Sequence, residues 1–402
     1  MVSGYSNVNA DSNSNLRKDA PPRVLCVSGP NWFGVSRLPL VLAAAGFEVS
    51  ALAHPDSFVA CSRFLHSLVP GSLCPRENLE LFRRHLAGGA HYDWVIFADD
   101  PTMMEAVRRC REEWLLPWFP TDARGGDAHV LIDKTLFVEK AAAAGLPVPP
   151  FCPIVSSGEL CAAAAELGFP VIVKPAVGFA GNGIFSANTM ADLRAREVPE
   201  GKWCVQRQIS GRSGGTALLL WDGRPVWWQN SLRTKVWPEP FGPSCRRTSI
   251  PLPEMSQILN RLASSLGFRG LCEVEWILPD WGGPPLLIEF NPRPASYLYT
   301  TTAMGGDLPR ALSTLFSGKE FNSLSMGHNG SEVALFPEDA IQAAKQLDFS
   351  RLWEWCSGKV QSGFSEEGYL LRRYRWVAIK AVLRSVFSKS AWRADHTLAK
   401  VP

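Results

Sequence analysis

Three polar residues alternate along one apolar segment, residues 286–294, and their types suit phosphoryl chemistry. Glu289, Asn291 and Arg293 stand two positions apart, so a β-strand would point their side chains to one face, and Leu287 begins the same alternation. A carboxylate and an amide oxygen are ligands that a hard cation such as Mg²⁺ prefers. A guanidinium group one step further along suits a phosphoryl group. The segment therefore predicts nucleotide-dependent phosphoryl transfer.

A second segment, residues 271–278, alternates acidic and apolar residues just upstream of the first. A connector rich in proline and glycine joins the two, which predicts an antiparallel hairpin with Glu275 across from Glu289 and Asn291. Carboxylates held this close repel each other, and a divalent metal ion relieves that repulsion. We therefore predict metal binding by these three residues and interpret Glu273 as part of a solvated polar face. A half-exposed hairpin without a ligand is the simpler alternative.

A lysine and a glycine-rich loop precede the acidic hairpin. Lys174 lies near the end of a predicted strand at 169–175, and Gly178, Gly181 and Gly183 follow in the next loop. Glycine lets the backbone approach phosphates closely, and the lysine supplies positive charge. Because no Gly-Lys-Ser/Thr follows, this is not a Walker loop, and by itself it would more often be a plain glycine-rich hairpin.

The elements before this loop predict a sheet and a capped helix. The leading region contains predicted strands at 23–28, 47–52 and 92–98 and a helix at 36–45, an order that favours a parallel sheet. Asp99 and Asp100 follow the last strand, where a ligand site can form, although we favour capping of the next helix. Further along, Asp133 is predicted to cap a helix that carries Lys134 in its first turn. The glycines of the first loop do not form a dinucleotide fingerprint, so NAD binding is not expected.

A basic, proline-rich stretch at 233–247 is predicted to be irregular. A mobile loop near phosphates needs this chemistry, which makes the stretch our candidate lid and Arg233 and Lys235 candidates for ligand contact. A solvated loop fits the composition equally well.

Composition limits the remaining alternatives. A chain of 402 residues favours about two to three domains. A net charge of +3 gives no reason to expect nucleic acid as a partner. Ten scattered cysteines indicate reduced thiols and a cytoplasmic location. No apolar stretch is long enough to predict a membrane span.

Both ends of the chain differ from the middle. Residues 1–22 are rich in serine and asparagine and are expected to be disordered. Residues 369–387 form a predicted apolar and basic helix, which suits either an anionic membrane surface or docking on the body of the protein. We favour docking, because the polar face of this helix is not clean.

The order of these pieces, from about Arg23 to about Leu315, resembles the ATP-grasp superfamily, particularly its carboxylate–amine ligases. The resemblance implies an α/β and α+β architecture, in which a leading parallel-sheet (pre-ATP-grasp) domain is followed by a two-lobed ATP-grasp fold. The expected divisions are a tail at 1–22, the leading domain at 23–125, a small lobe at 126–200, a catalytic lobe at 201–325 and a helical extension at 326–402.

The resemblance also implies where ATP and magnesium bind. The implied nucleotide-binding residues are Lys134, Lys174, Gly178, Gly181, Gly183, Gln206, Arg207, Ile209 and Ser213. The implied ligands of two Mg²⁺ ions, with Mn²⁺ as a substitute, are Glu275, Glu289 and Asn291. Arg293 would steady the transferring phosphoryl group, and Lys174, Arg233 and Lys235 are the other catalytic candidates. Two positions depart from the family pattern: Gln206 stands where many members have glutamate, and Ser213 alone is offered to the ribose.

The activity implied is ATP-dependent formation of an amide through an acylphosphate, from a small-molecule carboxylate and an amine. An amino acid or small peptide is the substrate class that the resemblance suggests. Two alternatives stay open: an ATP-dependent carboxylase acting through carboxyphosphate, and a non-catalytic nucleotide-binding regulatory protein. No biotin-carrier segment is visible, and the intact lysine, glutamate, asparagine and arginine set favours catalysis. Oligomeric state is open.

Overall fold

The computed structural model describes residues 20–110, 112–121, 125–318, 330–357 and 359. Most of the expected N-terminal tail and the whole basic segment at 369–387 lie outside these residues. No helix in the described part of the chain is both long and apolar enough to cross a membrane. The described cysteines whose side chains are placed are free thiols, as predicted.

The leading domain is a parallel sheet between helices. Its strands are β1 (Arg23–Val27), β2 (Glu48–Ala53), β3 (Ser67–Pro70) and β4 (Trp94–Phe97), and its helices are α1 (Leu38–Ala44), α2 (Pro75–Ala87) and α3 (Asp100–Arg109). The strand order is β3-β2-β1-β4, and every neighbouring pair is parallel. Strand β4 and the residues of β1 after Arg23 are apolar and buried, because helices cover both faces of the sheet. Helix α1 begins later than expected, since a 3₁₀ turn at Phe33–Arg37 precedes it.

Helix α4 (Lys134–Ala143) follows a capping residue, as predicted. Asp133 Oδ1 accepts hydrogen bonds from the backbone N–H groups of Thr135 and Leu136, at 2.9 and 3.1 Å. The helix buries Phe137 and Val138 in a core that the leading domain and the largest sheet share. Helix α4 therefore packs with the leading domain and the large sheet, which together form the main body of the protein. The expected division placed this helix in the small lobe at 126–200.

The small lobe has its own antiparallel sheet and core. It consists of β5 (Phe151–Ile154), α5 (Leu160–Leu167), β6 (Val171–Pro175), β7 (Phe185–Ala187), α6 (Met190–Arg194) and β8 (Trp203–Arg207), with strand order β5-β8-β6-β7. Val171, Val173 and Val205 pack into the lobe's core. Lys174 is paired with Cys204 in the register of β6 and β8, so alternation places Lys174 on the other face, towards the main body. The sheet includes β8, so the lobe extends past the expected boundary at residue 200.

The large sheet carries the acidic hairpin. Its strands are β9 (Gly211–Trp221), β10 (Arg224–Val236), β11 (Ser244–Ser249), β12 (Gly270–Pro279) and β13 (Leu286–Asn291), and helices α7 (Met255–Leu266) and α8 (Leu308–Phe316) accompany them. The predicted Asp222–Gly223 hairpin joins β9 to β10, and both residues have positive φ. Because β10 runs to Val236 and β11 begins at Ser244, only residues 237–243 of the expected irregular stretch lie outside strands.

The C-terminal described residues complete this sheet. They form β14 (Glu332–Ala334), α9 (Glu338–Lys345) and α10 (Phe349–Cys356). Strand β14 pairs with β11, which gives the order β13-β12-β9-β10-β11-β14. The expected extension was purely helical. The described part instead also supplies an edge strand, β14. Buried Asp339 accepts hydrogen bonds from Arg246, Arg351 and Trp355, and this network holds the two helices against β11.

Candidate functional site

The acidic hairpin has the predicted pairing, with one irregularity. Glu275 lies directly opposite Glu289, and Glu273 lies opposite Asn291. A β-bulge then shifts the register, so that Leu287 pairs with Trp276 and is fully buried in the core. The prediction that Leu287 shares a face with Glu289 was wrong, because the bulge interrupts the alternation between them.

A cation accompanies each of the two facing carboxylates. Lys134 Nζ lies 3.3 Å from Glu289 Oε1, and Arg233 forms an ion pair with Glu275. Burial raises the pKa of Glu289; Lys134 opposes this effect and the carboxylate of Glu275 adds to it. Burial would also raise the pKa of Glu275, but the surrounding arginines, with Arg233 first, outweigh it and hold the pKa below its ordinary value. The pair therefore retains repulsion that an additional cation would relieve.

Glu273 is part of this cluster, contrary to the prediction of a solvated face. Its exposure is 4%, and Arg247 Nη1 lies 3.4 Å from its Oε1. Asn291 Nδ2 donates towards Glu273 at 3.5 Å and towards Glu275 at 3.3 Å. Gly215 makes the cluster sterically feasible, because a Cβ there would lie 2.6 Å from both Arg247 Nη2 and Glu273 Oε1. The sequence offered no signal for the Glu273–Arg247 pair, since it forms only when β11 joins the sheet.

The two predicted lysines lie beside the hairpin. Lys134 donates a hydrogen bond to the carbonyl oxygen of Gly178 in addition to its pair with Glu289. Lys174 is buried, which lowers its pKa, while Glu289 acts in the opposite direction. A cleft brings together Lys134, Gly178, Glu289 and Asn291. The lysine, glycine-loop and acidic-hairpin signals thus converge on one site.

The glycine loop adopts conformations that require glycine. Gly181 has φ +71° and Gly183 has φ +74°. A Cβ on Gly181 would come within 3.0 Å of the carbonyl oxygen of Phe241, closer than real Cβ atoms approach. Phe241 lies in the turn at 237–243, so the middle of the predicted lid covers the glycine loop even though its ends are strands.

The register of β10 separates the two basic residues predicted to contact a ligand. Arg233 lies opposite Arg247, on the face that carries Glu275. A bulge follows, and Lys235 lies opposite Arg246, which binds Asp339 at 3.0 Å on the other face. Directly opposite residues share a face of a sheet. Lys235 therefore does not belong to the carboxylate cluster, and its catalytic role stays a prediction.

Comparison with known proteins agrees with this arrangement. The family described as the ATP-binding domain of the carbamoyl-phosphate synthase L chain matches residues 133–198, which include the capped helix and the glycine loop. The carbamoyl phosphate synthase large chain of Beutenbergia cavernae is 27% identical over 357 residues, which is 81% of this chain but 31% of that protein. The chain thus spans about a third of that relative's length.

Two solved structures show the same fold. One is the biotin carboxylase domain of the Hydrogenobacter thermophilus 2-oxoglutarate carboxylase, a dimer in complex with MgADP, ADP and bicarbonate (TM-score 0.57, 16% identity, 76% of this chain and 72% of that one). The other is the L-amino acid ligase of Bacillus licheniformis (TM-score 0.53, 16% identity, 74% of each chain). The chain has the ATP-grasp fold.

The linker expected in the ATP-grasp fold is partly engaged by the protein itself. Gln206 is 2% exposed, and within the described residues its Nε2 has no hydrogen-bond partner. The backbone N–H of Arg207 donates to Pro150 O at 2.9 Å, so it is occupied rather than available to a base. Ile209 and Ser213 are half-buried, Ile209 just after β8 and Ser213 within β9. Their contacts with adenine and ribose stay predictions.

Arg293 connects the acidic cluster of the large sheet to the leading domain. Its Nε donates to Asp100 Oδ1 at 2.9 Å, and its Nη1 lies 3.7 Å from Glu273 Oε2. The guanidinium carbon lies 5.4 Å from the ring centre of Trp32. Asp99, not Asp100, is the residue that caps α3.

The donor set fits magnesium bound together with a phosphate-bearing ligand. Among the described residues, no group of three or more His, Cys, Asp or Glu side chains is arranged to hold a metal ion by itself. The hairpin offers two facing carboxylates and one amide oxygen, and the raised pKa of Glu289 reflects repulsion between those carboxylates in addition to burial. Phosphate oxygens would complete the coordination of a hard cation there. The number of ions stays a prediction.

Proposed function

We propose that the chain is an ATP-dependent ligase that joins a carboxylate to an amine through an acylphosphate. The observation that carries the proposal is a cluster of opposite charges around the acidic hairpin: Lys134 pairs with Glu289, and Glu289 lies opposite Glu275. The charge of Glu289 also acts on buried Lys174, and Arg293 lies beside Glu273. Cations that grip a triphosphate and carboxylates that hold Mg²⁺ are the two components that phosphoryl transfer requires.

Binding of the nucleotide exchanges the partners of the cations. Lys134 and Arg233 neutralise Glu289 and Glu275 in the protein alone. Mg²⁺ would be held by these carboxylates and by Asn291, and it would neutralise charge on the phosphates. Lys134 then turns to the phosphates near Gly178, whose carbonyl oxygen it already contacts.

The first step makes the carboxyl group reactive. A carboxylate oxygen attacks the γ-phosphorus, the new P–O bond forms as the bond to ADP breaks, and ADP leaves with the electron pair. Arg293 lies at the edge of the cluster where charge on the moving phosphoryl group needs stabilisation.

The second step forms the amide. The amine nitrogen attacks the carbonyl carbon, the C–N bond forms as the bond from that carbon to the phosphate oxygen breaks, and the nitrogen releases a proton. The turn at 237–243 lies against the glycine loop and would help to keep water from the acylphosphate.

A carboxylase is the second candidate. It is favoured by the fold shared with a carboxylase domain solved with MgADP and bicarbonate, whereas the fold shared with an L-amino acid ligase favours amide formation. In the carboxylase, bicarbonate would take the place of the organic carboxylate at the same cleft, so the same residues would serve.

A phosphate-release screen separates these activities. Purified protein with MgATP is offered carboxylates crossed with amines, with and without bicarbonate, and product masses are recorded. Amide masses that appear with phosphate support the ligase, and phosphate release that depends on bicarbonate supports the carboxylase. Tight MgATP binding with no turnover anywhere in the screen would instead indicate a nucleotide-binding regulatory protein.

The metal assignment is tested with Glu289→Gln. We expect ATP turnover to fall at least about a hundredfold, because a charged ligand of the metal is lost at the site of phosphoryl transfer. Thermal unfolding should occur at an unchanged or higher temperature, because the fold disfavours the ionised form of this carboxyl group. Glu254→Gln, at an exposed position before α7, is the matched control. Near-normal turnover of Glu289→Gln would refute the assignment.

A further inference from the structure

Arg293 belongs to the large sheet, but the leading domain holds it in place. Asp100 Oδ1 accepts a hydrogen bond from Arg293 Nε at 2.9 Å. The ring of Trp32, from the loop after β1, lies beside the guanidinium plane at 5.4 Å. Arg293 and Asp100 are both largely buried, with side-chain exposures of 12% and 14%. A planar cation is thereby fixed on one edge and on one face.

The helix that carries Asp100 does not need it as a cap. Asp99 Oδ1 accepts from the N–H of Thr102 at 2.8 Å, and Asp99 Oδ2 accepts from the N–H of Gly29 at 3.1 Å. The capping role is therefore complete without Asp100. Asp100 instead lines the same cleft as Lys134 and Gly178.

The direction in which Arg293 points matters for charge stabilisation. An arginine side chain has several rotatable bonds, and it binds a phosphoryl group well only when its remaining N–H groups are held towards that group. Glu273 Oε2 lies 3.7 Å from Arg293 Nη1, on the side of the large sheet, and Arg247 also pairs with this carboxylate. Without Asp100, the guanidinium would therefore be drawn deeper into the large sheet.

We propose that Asp100 is a positioning residue that makes phosphoryl stabilisation by Arg293 depend on the leading domain. This inference rests on the proposed function, which gives Arg293 its target. It assigns the leading domain a part in the phosphoryl-transfer step.

The test compares two ligands that differ only in the transferring group. Calorimetry measures the affinity of the full-length protein for MgADP alone and for MgADP with aluminium fluoride, a mimic of the phosphoryl group in transfer. Asp100→Ala should weaken the fluoride complex roughly 10- to 100-fold relative to MgADP. Asp100→Asn should fall between it and the wild type, since an amide oxygen still accepts from Arg293 Nε without the charge.

Two further variants distinguish positioning from general damage. Asp99→Asn alters the neighbouring cap and should leave the ratio of the two affinities at its wild-type value. In an Arg293→Lys background, Asp100→Ala should change the ratio of the two affinities little further, because both substitutions remove the stabilisation of the phosphoryl group by Arg293. An unchanged ratio in Asp100→Ala would overturn the inference while leaving the ligase intact. Failure of the wild type to bind either ligand would overturn the proposed function, and this inference with it.

Discussion

Replacement of Gly181 by alanine tests how the glycine loop and the turn at 237–243 fit together. Alanine at φ +71° costs about 1–2 kcal/mol, because its Cβ crowds the backbone in this conformation. The same Cβ would come within 3.0 Å of the carbonyl oxygen of Phe241, so the turn must move away. Such overpacking costs about 1–3 kcal/mol. We expect the contact between loop and turn to weaken by about 2–5 kcal/mol in Gly181→Ala.

Gly178 in the same loop is the matched control. The nearest atoms to a Cβ there lie 3.9 Å away, and its φ is not positive. Alanine at such a position stabilises a protein by about 0.4–1 kcal/mol through the unfolded chain. Gly178 also lines the cleft, however, so the added methyl group would occupy space proposed for phosphate. Gly178→Ala should therefore keep its stability and lose MgADP affinity.

Hydrogen exchange and limited proteolysis measure the weaker contact between loop and turn in Gly181→Ala. Calorimetry with MgADP measures the lower affinity of Gly178→Ala. Local probes suit this chain, because a protein of several lobes need not unfold in one step. Peptides covering residues 237–243 should exchange faster in Gly181→Ala than in the wild type and should be unchanged in Gly178→Ala. Equal exchange in both variants would show that the loop and the turn do not pack as described.

Two other predictions concern buried acids. Asp339→Ala leaves Arg246 and Arg351 without their shared buried carboxylate. Loss of one partner of a buried ion pair costs about 3–5 kcal/mol of stability. Faster proteolysis within α9 and α10 would confirm this cost, and wild-type resistance to the protease would contradict it. Burial raises the pKa of Asp99 from 3.8 to about 6, so the folded protein favours the protonated form, and this contribution to stability is lost as pH rises between those values. At about 1.4 kcal/mol per pKa unit, the free energy of unfolding falls by on the order of 3 kcal/mol over this pH range. Asp99→Asn should remove this pH dependence. A pH dependence of unfolding identical to that of the wild type would refute the explanation.

Local patterns were sufficient to predict the centre of the site. Alternation along two strands, with a short connector between them, placed Glu275 opposite Glu289, and the structure confirms this pairing. The capped helix put Lys134 at the start of α4 for the same reason, since capping depends on neighbours in the chain. These features needed no knowledge of distant residues.

The errors arose where tertiary pairing decides the outcome. Proline and basic residues made 233–247 resemble a loop, but β10 pairs with β11, and β11 pairs with β14, so both ends of this stretch join the sheet. The bulges that move Leu287 and Lys235 to other faces depend on partner strands, and alternation in a single segment does not reveal them. The contact between Asp100 and Arg293 joins residues 193 positions apart, which no local signal predicts.

Two cations of the site have carboxylate partners before any ligand arrives, because Lys134 pairs with Glu289 and Arg233 pairs with Glu275. A bare group of lysines and arginines would collect polyanions of every kind, from free phosphate to nucleic acid. Here an anion can bind Lys134 and Arg233 only when another cation replaces them beside Glu289 and Glu275. A divalent ion that enters with the nucleotide does so, and the arrangement therefore favours the chelated triphosphate over the naked one.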